Sequence, residues 1–209
     1  LRNSDINQSL LKSISGQRLS TYLAETGGDL DAALTLYEWN VRLAESLYGP
    51  LQCLEISLRN ALNDQLQLSY GPDWMDRGAS LLNPYATDSI REARSDRSRC
   101  APGELVADLK FSFWISLLGP AYDSTLWRRA LHRCFRGERG LRRADIHARL
   151  NAIRRFRNRV AHHEPVFAKA SQMHGEIIQA IGWMCRHTGD WAHHQSRFGV
   201  VYAQGPRRA

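Results

Sequence analysis

Lysine is nearly missing from this chain: of its 28 basic residues, 25 are arginine and only 3 are lysine. An excess of that kind arises from GC-rich codon usage as readily as from selection for phosphate binding, so the formal charge of +7 does not by itself name a partner. Long apolar runs are missing as well. The longest, around Phe111 to Leu118, is far short of the roughly 20 residues that a membrane-spanning helix needs. No basic region followed by an apolar run opens the chain, so no signal peptide is expected and the expected location is cytoplasmic. Cys53, Cys100, Cys134 and Cys185 stand far apart with no C-x-x-C pair, which argues against a zinc knuckle or a redox motif. They are expected to be reduced, partly buried thiols. Strand-type alternation, internal repeats and Pro- or Ser-rich linkers are also absent. With 209 residues, 43% of them hydrophobic, the chain can build one full core, and a single all-α domain over 1–209 is expected.

What is present is helical periodicity. Asp29 suits an N-cap, followed by Leu30, Ala33, Leu34, Tyr37, Val41, Ala44 and Leu47 at helical spacing. Gly49-Pro50 is expected to interrupt or kink that helix. A second helix carries Leu51, Leu54, Leu58, Leu62 and Leu66 on one stripe, with Glu55 and Arg59 placed for an i,i+4 ion pair, and stops before Gly71-Pro72. From Asp73 to Gly103 the pattern loosens. Asn83-Pro84 can start a short helix, but Arg91 to Arg99 is too polar for core, and the stretch reads as a mobile or ligand-facing loop. Pro102 suits position N1 of a helix through Val106, Leu109, Phe113 and Leu118, apolar all round from Phe111 and therefore central. Further helices are expected over Leu126 to Phe135, from about Arg143 to His162 or His163, where Pro165 disfavours continuation, and from Val166 to Cys185. The core is expected over about 15–190, with an irregular tail over 190–209.

The positive charge is local. Residues 128–159 hold 12 Arg against only Glu138 and Asp145, so this segment carries +10 and the rest of the chain about −3. Such a concentration can focus a field on a polyanion. Two R-x4-H patterns lie inside or beside it. Arg142 to His147 has no asparagine after the arginine and reads as a chance match. Arg157 to His162 is different: Asn158 follows the arginine, His163 follows His162, and Glu164-Pro165 closes the helix.

Here a resemblance becomes specific. The run R-N-R-V-A-H-H-E-P-V-F, residues 157–167, resembles the C-terminal signature of the abortive-infection (Abi-like) family of HEPN proteins. Leu36-Tyr37-Glu38-Trp39-Asn40, the block from Leu54 to Leu62, Tyr70-Gly71-Pro72-Asp73-Trp74 and Phe111-Ser112-Phe113-Trp114 resemble other blocks of that family in the same order. The likeness covers roughly 15–190 and implies a HEPN-like helical bundle with extra N-terminal helices. It also implies a metal-independent endoribonuclease, needing no cofactor, whose Arg and His motifs meet in a composite cleft of a homodimer. Relatives act in phage defence, some under the control of an RNA or protein antitoxin.

The residue types suit that chemistry. Cleaving RNA without metal requires a base for the 2′-OH, an acid for the leaving 5′-oxygen, and donors for the charge on phosphorus. An imidazole, with an ordinary pKa of about 6.5, serves both proton tasks near neutrality. A guanidinium forks onto phosphoryl oxygens. The expected catalytic set is Arg157, Asn158 and His162, on RNA because a 2′-OH is needed. On an ideal helix Asn158 and His162 share a face, whereas Arg157 lies about 140° from His162. Arg157 therefore converges only through its long side chain, a helix break before His162, or a partner protomer. Arg159, at i,i+3 from His162, is the rival clamp. His163, Glu164, Glu55, Arg59, Asn60, Arg154 and Arg155 are expected in support. Plainer readings stand beside these: Asn158 as a helix brace, His163 and Glu164 as a structural pair, Glu55 with Arg59 as an internal ion pair, Trp39 and Asn40 as core, and His193-His194 on the surface. A zinc site from His162, His163 and Cys185 fits no known spacing. A non-catalytic HEPN module that binds RNA or a partner, and a purely structural helical dimer, remain the rival functions.

Overall fold

The computed structural model describes residues 2–95 and 102–207, and every regular element among them is helical. Near the N-terminus lie α1 (Ser4–Ile14) and α2 (Gly16–Glu25). Asp29 then caps α3 (Leu30–Tyr70) by accepting from the backbone N–H groups of Asp31 and Ala32, as its position suggests. The helix runs on through Gly49-Pro50 and is not interrupted there. A proline inside a helix costs about 3 kcal/mol. Leu43, Leu47, Leu51, Leu54, Leu58, Leu62 and Leu66 line one buried stripe on both sides of it. Each fully buried leucine contributes about 1.5–3 kcal/mol, so the stripe outweighs the proline. Gly71 ends the helix with φ 91, a conformation that suits glycine.

The stretch read as a loop is largely helical and is anchored to the core by Trp74, Leu82, Ala86 and Ile90. Trp74, in a short 3-10 turn over Trp74–Ser80, is fully buried and donates to Asn63 Oδ1 at 3.1 Å. Next, α4 (Pro84–Ser95) starts where Asn83 Oδ1 accepts from the Ala86 N–H, and buries Ala86 and Ile90. The polarity of Arg91 to Ser95 is that of a helix surface. Cys100 and the rest of the polar run lie outside the described residues. The apolar stretch after Pro102 is two helices, α5 (Pro102–Asp108) and α6 (Phe111–Ser116), because Lys110 is extended between them. Phe111, Phe113, Trp114 and Ile115 are buried as expected. Over Leu126 to Phe135 there is no α-helix but a π turn (Asp123–Trp127) and a 3-10 turn (Leu131–Cys134).

Two long helices then form a hairpin, α7 (Arg143–Ala161) and α8 (Ala170–Met184), in which α8 packs on α3 and α7 packs on α8 and α6. The tail is not irregular. It forms α9 (Arg186–Gln195) and α10 (Phe198–Gln204). Phe198 is buried, and Trp39 Nε1 donates to the Val201 carbonyl at 3.1 Å, fixing α10 on α3.

The same contact region holds a buried histidine. His174 stacks on Phe198 with ring centres 4.4 Å apart, and its Nε2 lies 2.9 Å from Ser196 Oγ. Burial, reinforced by the neighbouring His193, pushes its pKa down to about 4. The unfolded chain therefore takes up the extra proton first, near pH 6.5. Stability from this site is complete above that pH and is lost as the pH falls toward 4. At about 1.4 kcal/mol per unit, the loss reaches at most about 3.5 kcal/mol. Chemical denaturation at pH 7 and pH 4.5 is expected to show a steeper fall for wild type than for His174→Gln. Equal falls would mean that His174 is not the group responsible.

Candidate active site

The buried stripe of α7 is Ile146, Leu150, Ile153, Phe156 and Val160, which leaves the arginines between them on its flanks. The helix ends in a Schellman motif, with Glu164 N–H donating to the Arg159 carbonyl at 2.9 Å and His163 N–H to the Val160 carbonyl at 3.1 Å. His162 is the C-cap, at φ −90 and ψ 10. His163 occupies the left-handed position at φ 58. Glycine or asparagine normally fills such a place, and another side chain costs about 1–2 kcal/mol there. Both imidazoles are exposed, and among the described residues neither side chain has a hydrogen-bond partner.

The backbone carrying them is held from several directions. Arg159 Nε donates to Glu164 Oε2 at 3.1 Å, and its Nη2 donates to the Pro165 carbonyl. From α2, Arg18 Nη1 donates to the carbonyls of His162 at 3.3 Å and His163 at 2.9 Å. From α3, the buried Asn40 accepts from Val166 N–H at 2.7 Å and Phe167 N–H at 3.2 Å, and donates to the Glu164 carbonyl at 3.4 Å. Phe167 packs against both the main core and the small cluster of Leu19, Tyr22, Ala33 and Leu34. The loop is therefore tied down while its histidines stay free.

Several expected roles change. Arg159, the rival phosphate clamp, is engaged with Glu164 and Pro165, so it braces the loop. Glu164 serves that brace and is not paired with His163. The anticipated Glu55–Arg59 ion pair is replaced by a loose pairing of Glu55 Oε2 with Arg157 Nε at 3.9 Å. Arg59 Nη1 instead donates to the Ala107 carbonyl at 3.4 Å, and its buried Nε has no partner among the described residues. Glu55, Arg59, Arg157, Val160 and Ala161 line a groove of about 430 Å³ between α3 and α7. Asn60 is exposed and lies outside it. Arg154 turns to Asn151 Oδ1 at 3.4 Å, and Arg155 is exposed. The Asn158 side chain makes no hydrogen bond among the described residues, so it does not brace the helix end.

A helix break before His162 is ruled out, since α7 is continuous to Ala161. Arg157 thus faces the groove with Glu55 and Arg59, while Asn158 and His162 share the adjacent solvent face. With the helix unbroken, the backbone directions of Arg157 and His162 are about 140° apart, so within one chain they converge only through the length of the arginine side chain. Among the described residues no group of three or more His, Cys, Asp or Glu is placed to hold a metal ion, His162, His163 and Cys185 included.

Two positioning residues escaped the sequence reading. Asn40 carried a signal, because a polar side chain within the apolar pattern of α3 must find partners when buried. Arg18 carried none, since its partners lie 144 and 145 residues away. Comparisons with protein-family models, with curated proteins and with solved structures find no match to this chain.

Proposed function

We propose that this chain is a metal-independent endoribonuclease of the HEPN class, acting in phage defence or in a toxin–antitoxin pair. The observation that carries this reading is the tied loop after α7. Arg159, Arg18 and Asn40 all bind its backbone, and His163 takes a strained conformation, yet both imidazoles face solvent without partners. Buried backbone groups such as the Val166 N–H need partners in any fold, but here the same bonds also fix two exposed imidazoles, and proton transfer needs an imidazole fixed within hydrogen-bond reach of its target.

In this mechanism His162 accepts the 2′-OH proton as the 2′-oxygen attacks phosphorus. The P–O5′ bond then breaks, and the departing 5′-oxygen takes a proton from a second imidazole. The products are a 2′,3′-cyclic phosphate and a 5′-hydroxyl. Arg157 neutralises charge on the phosphoryl oxygens, and Asn158, beside His162, positions it or the scissile group. Because Arg157 and His162 diverge within one chain, the complete site is assigned to a homodimer in which one protomer's arginine meets its partner's histidine. That divergence also favours a second reading, a non-catalytic module that binds RNA or an antitoxin through the same surface.

The test is incubation of purified protein with end-labelled single-stranded RNA in EDTA. Fragments ending in a 2′,3′-cyclic phosphate are expected, from a species that light scattering weighs as a dimer. RNA binding without cleavage would favour the second reading, and cleavage by a monomer would remove the shared site.

A further inference from the structure

The segment 128–142 carries six arginines and a single acid. All six, Arg128, Arg129, Arg133, Arg136, Arg139 and Arg142, are exposed. The acid offsets only one of them. Glu138 Oε2 is drawn onto α8, accepting from Trp183 Nε1 at 2.8 Å and Gln179 Nε2 at 3.2 Å. Gly137 N–H donates to the Trp183 carbonyl at 2.8 Å, and a Cβ at Gly137 would lie 1.9 Å from the Gly182 carbonyl oxygen, so only glycine allows this docking. The segment is a fixed surface. Arg128 pairs with Asp123 and Arg142 with Asp145, but among the described residues no carboxylate pairs with Arg129, Arg133, Arg136 or Arg139.

This surface lies at the far end of the α7–α8 hairpin from His162. The 19 residues of α7 span roughly 27 Å at a rise of about 1.5 Å per residue. Between the two ends runs an open face. Ala144, Ala148, Asn151, Arg155, Asn158 and His162 all lie within about 40° of the His162 direction, and none is buried. The face holds no acid, and its alanines allow a backbone to lie close.

We propose that the segment from Arg129 to Arg139 is a docking platform for the backbone of single-stranded RNA, and that the open face of α7 leads the strand to His162. This rests on the nuclease reading above and adds a length requirement. At a stacked spacing of about 3.4 Å per nucleotide, an RNA must extend about eight nucleotides from the cut to reach the start of α7 beside the platform, and fewer when the strand is extended. Shorter RNA reaches the motif without touching the platform.

The test is binding of a 20-nucleotide and a 3-nucleotide single-stranded RNA, by fluorescence anisotropy across a salt series. His162→Ala protein serves as the parent, so that nothing is cut. Arg133→Gln, Arg136→Gln and Arg139→Gln are then added together, with circular dichroism checking the fold. Each lost phosphate contact removes about 0.7 from the salt slope and, near 0.1 M salt, about fivefold in affinity. The triple variant is expected to lose about 2 in slope and about 100-fold in affinity for the 20-mer, with no change for the 3-mer. Unchanged 20-mer binding, an equal loss on the 3-mer, or no RNA binding by the parent would overturn the platform. A changed mass by light scattering with RNA affinity intact would make the surface a protein contact instead. If wild type cuts no RNA but the 20-mer loss appears, the platform stands and the nuclease reading falls.

Discussion

His162→Ala is expected to lower kcat for RNA cleavage by about 10³-fold, with KM nearly unchanged. General acid–base catalysis by one positioned group contributes about 10²–10⁴-fold, and the loss belongs in kcat because the proton moves only in the transition state. The exposed imidazole has no partner among the described residues, so its removal leaves the fold intact. Arg157→Ala is expected to cost a similar factor, through lost stabilisation of phosphoryl charge, about 10²–10³-fold. Arg159→Ala separates the two arginines. It removes the bonds to Glu164 and to the Pro165 carbonyl, so its effect should appear in thermal stability as well as in rate. Arg157, exposed and only 3.9 Å from Glu55 at its nearest, should leave the melting midpoint unmoved. Single-turnover kinetics beside thermal melts would decide it. A rate loss confined to Arg159→Ala would assign the clamp to Arg159, and full activity in His162→Ala would remove this motif as the active site.

Where the helices lie was legible wherever apolar spacing and capping agreed. Asp29 at the start of α3, Gly71 at its end and Pro165 beyond α7 each have a local physical meaning, and each stands where it was expected. Reading failed where tertiary packing overrides local preference. Pro50 breaks helices in isolation, but α3 has leucines to bury on both sides of it. The tail after Gly189 reads as irregular, yet Phe198 needs only one face against His174. At the candidate site the motif residues were visible, because chemistry demands particular side chains at a particular spacing. Their restraints were less so. A run of residues says little about which distant donor will meet a loop carbonyl, and so Arg18 was invisible. It also says nothing of whether Arg159 turns toward a phosphate or back onto its own loop.

Asn40→Ala is expected to lower both stability and rate, and the two losses should be separable. The Asn40 side-chain oxygen accepts from the N–H groups of Val166 and Phe167, at 2.7 and 3.2 Å. Val166 is 2% exposed, so water cannot replace the lost acceptor there. An unsatisfied buried donor costs about 1–3 kcal/mol, and with the second N–H the loss should reach about 2–4 kcal/mol. Asn40→Asp keeps an acceptor for both groups, but it buries a carboxylate where Asn40 is 3% exposed and sets an oxygen against the Glu164 carbonyl, so it should be destabilised as well. The functional effect follows from what those bonds hold. Freed at 164–167, the loop no longer fixes His162, and kcat should fall about 10–100-fold while the pH dependence of the rate keeps its shape, since no proton-carrying group has been removed. Denaturant titration beside kcat measured well below the melting temperature distinguishes the two effects. Should Asn40→Ala prove unstable yet cleave RNA at the wild-type rate per folded molecule, the hold on this loop would be a matter of folding alone, and the tied loop would no longer speak for catalysis.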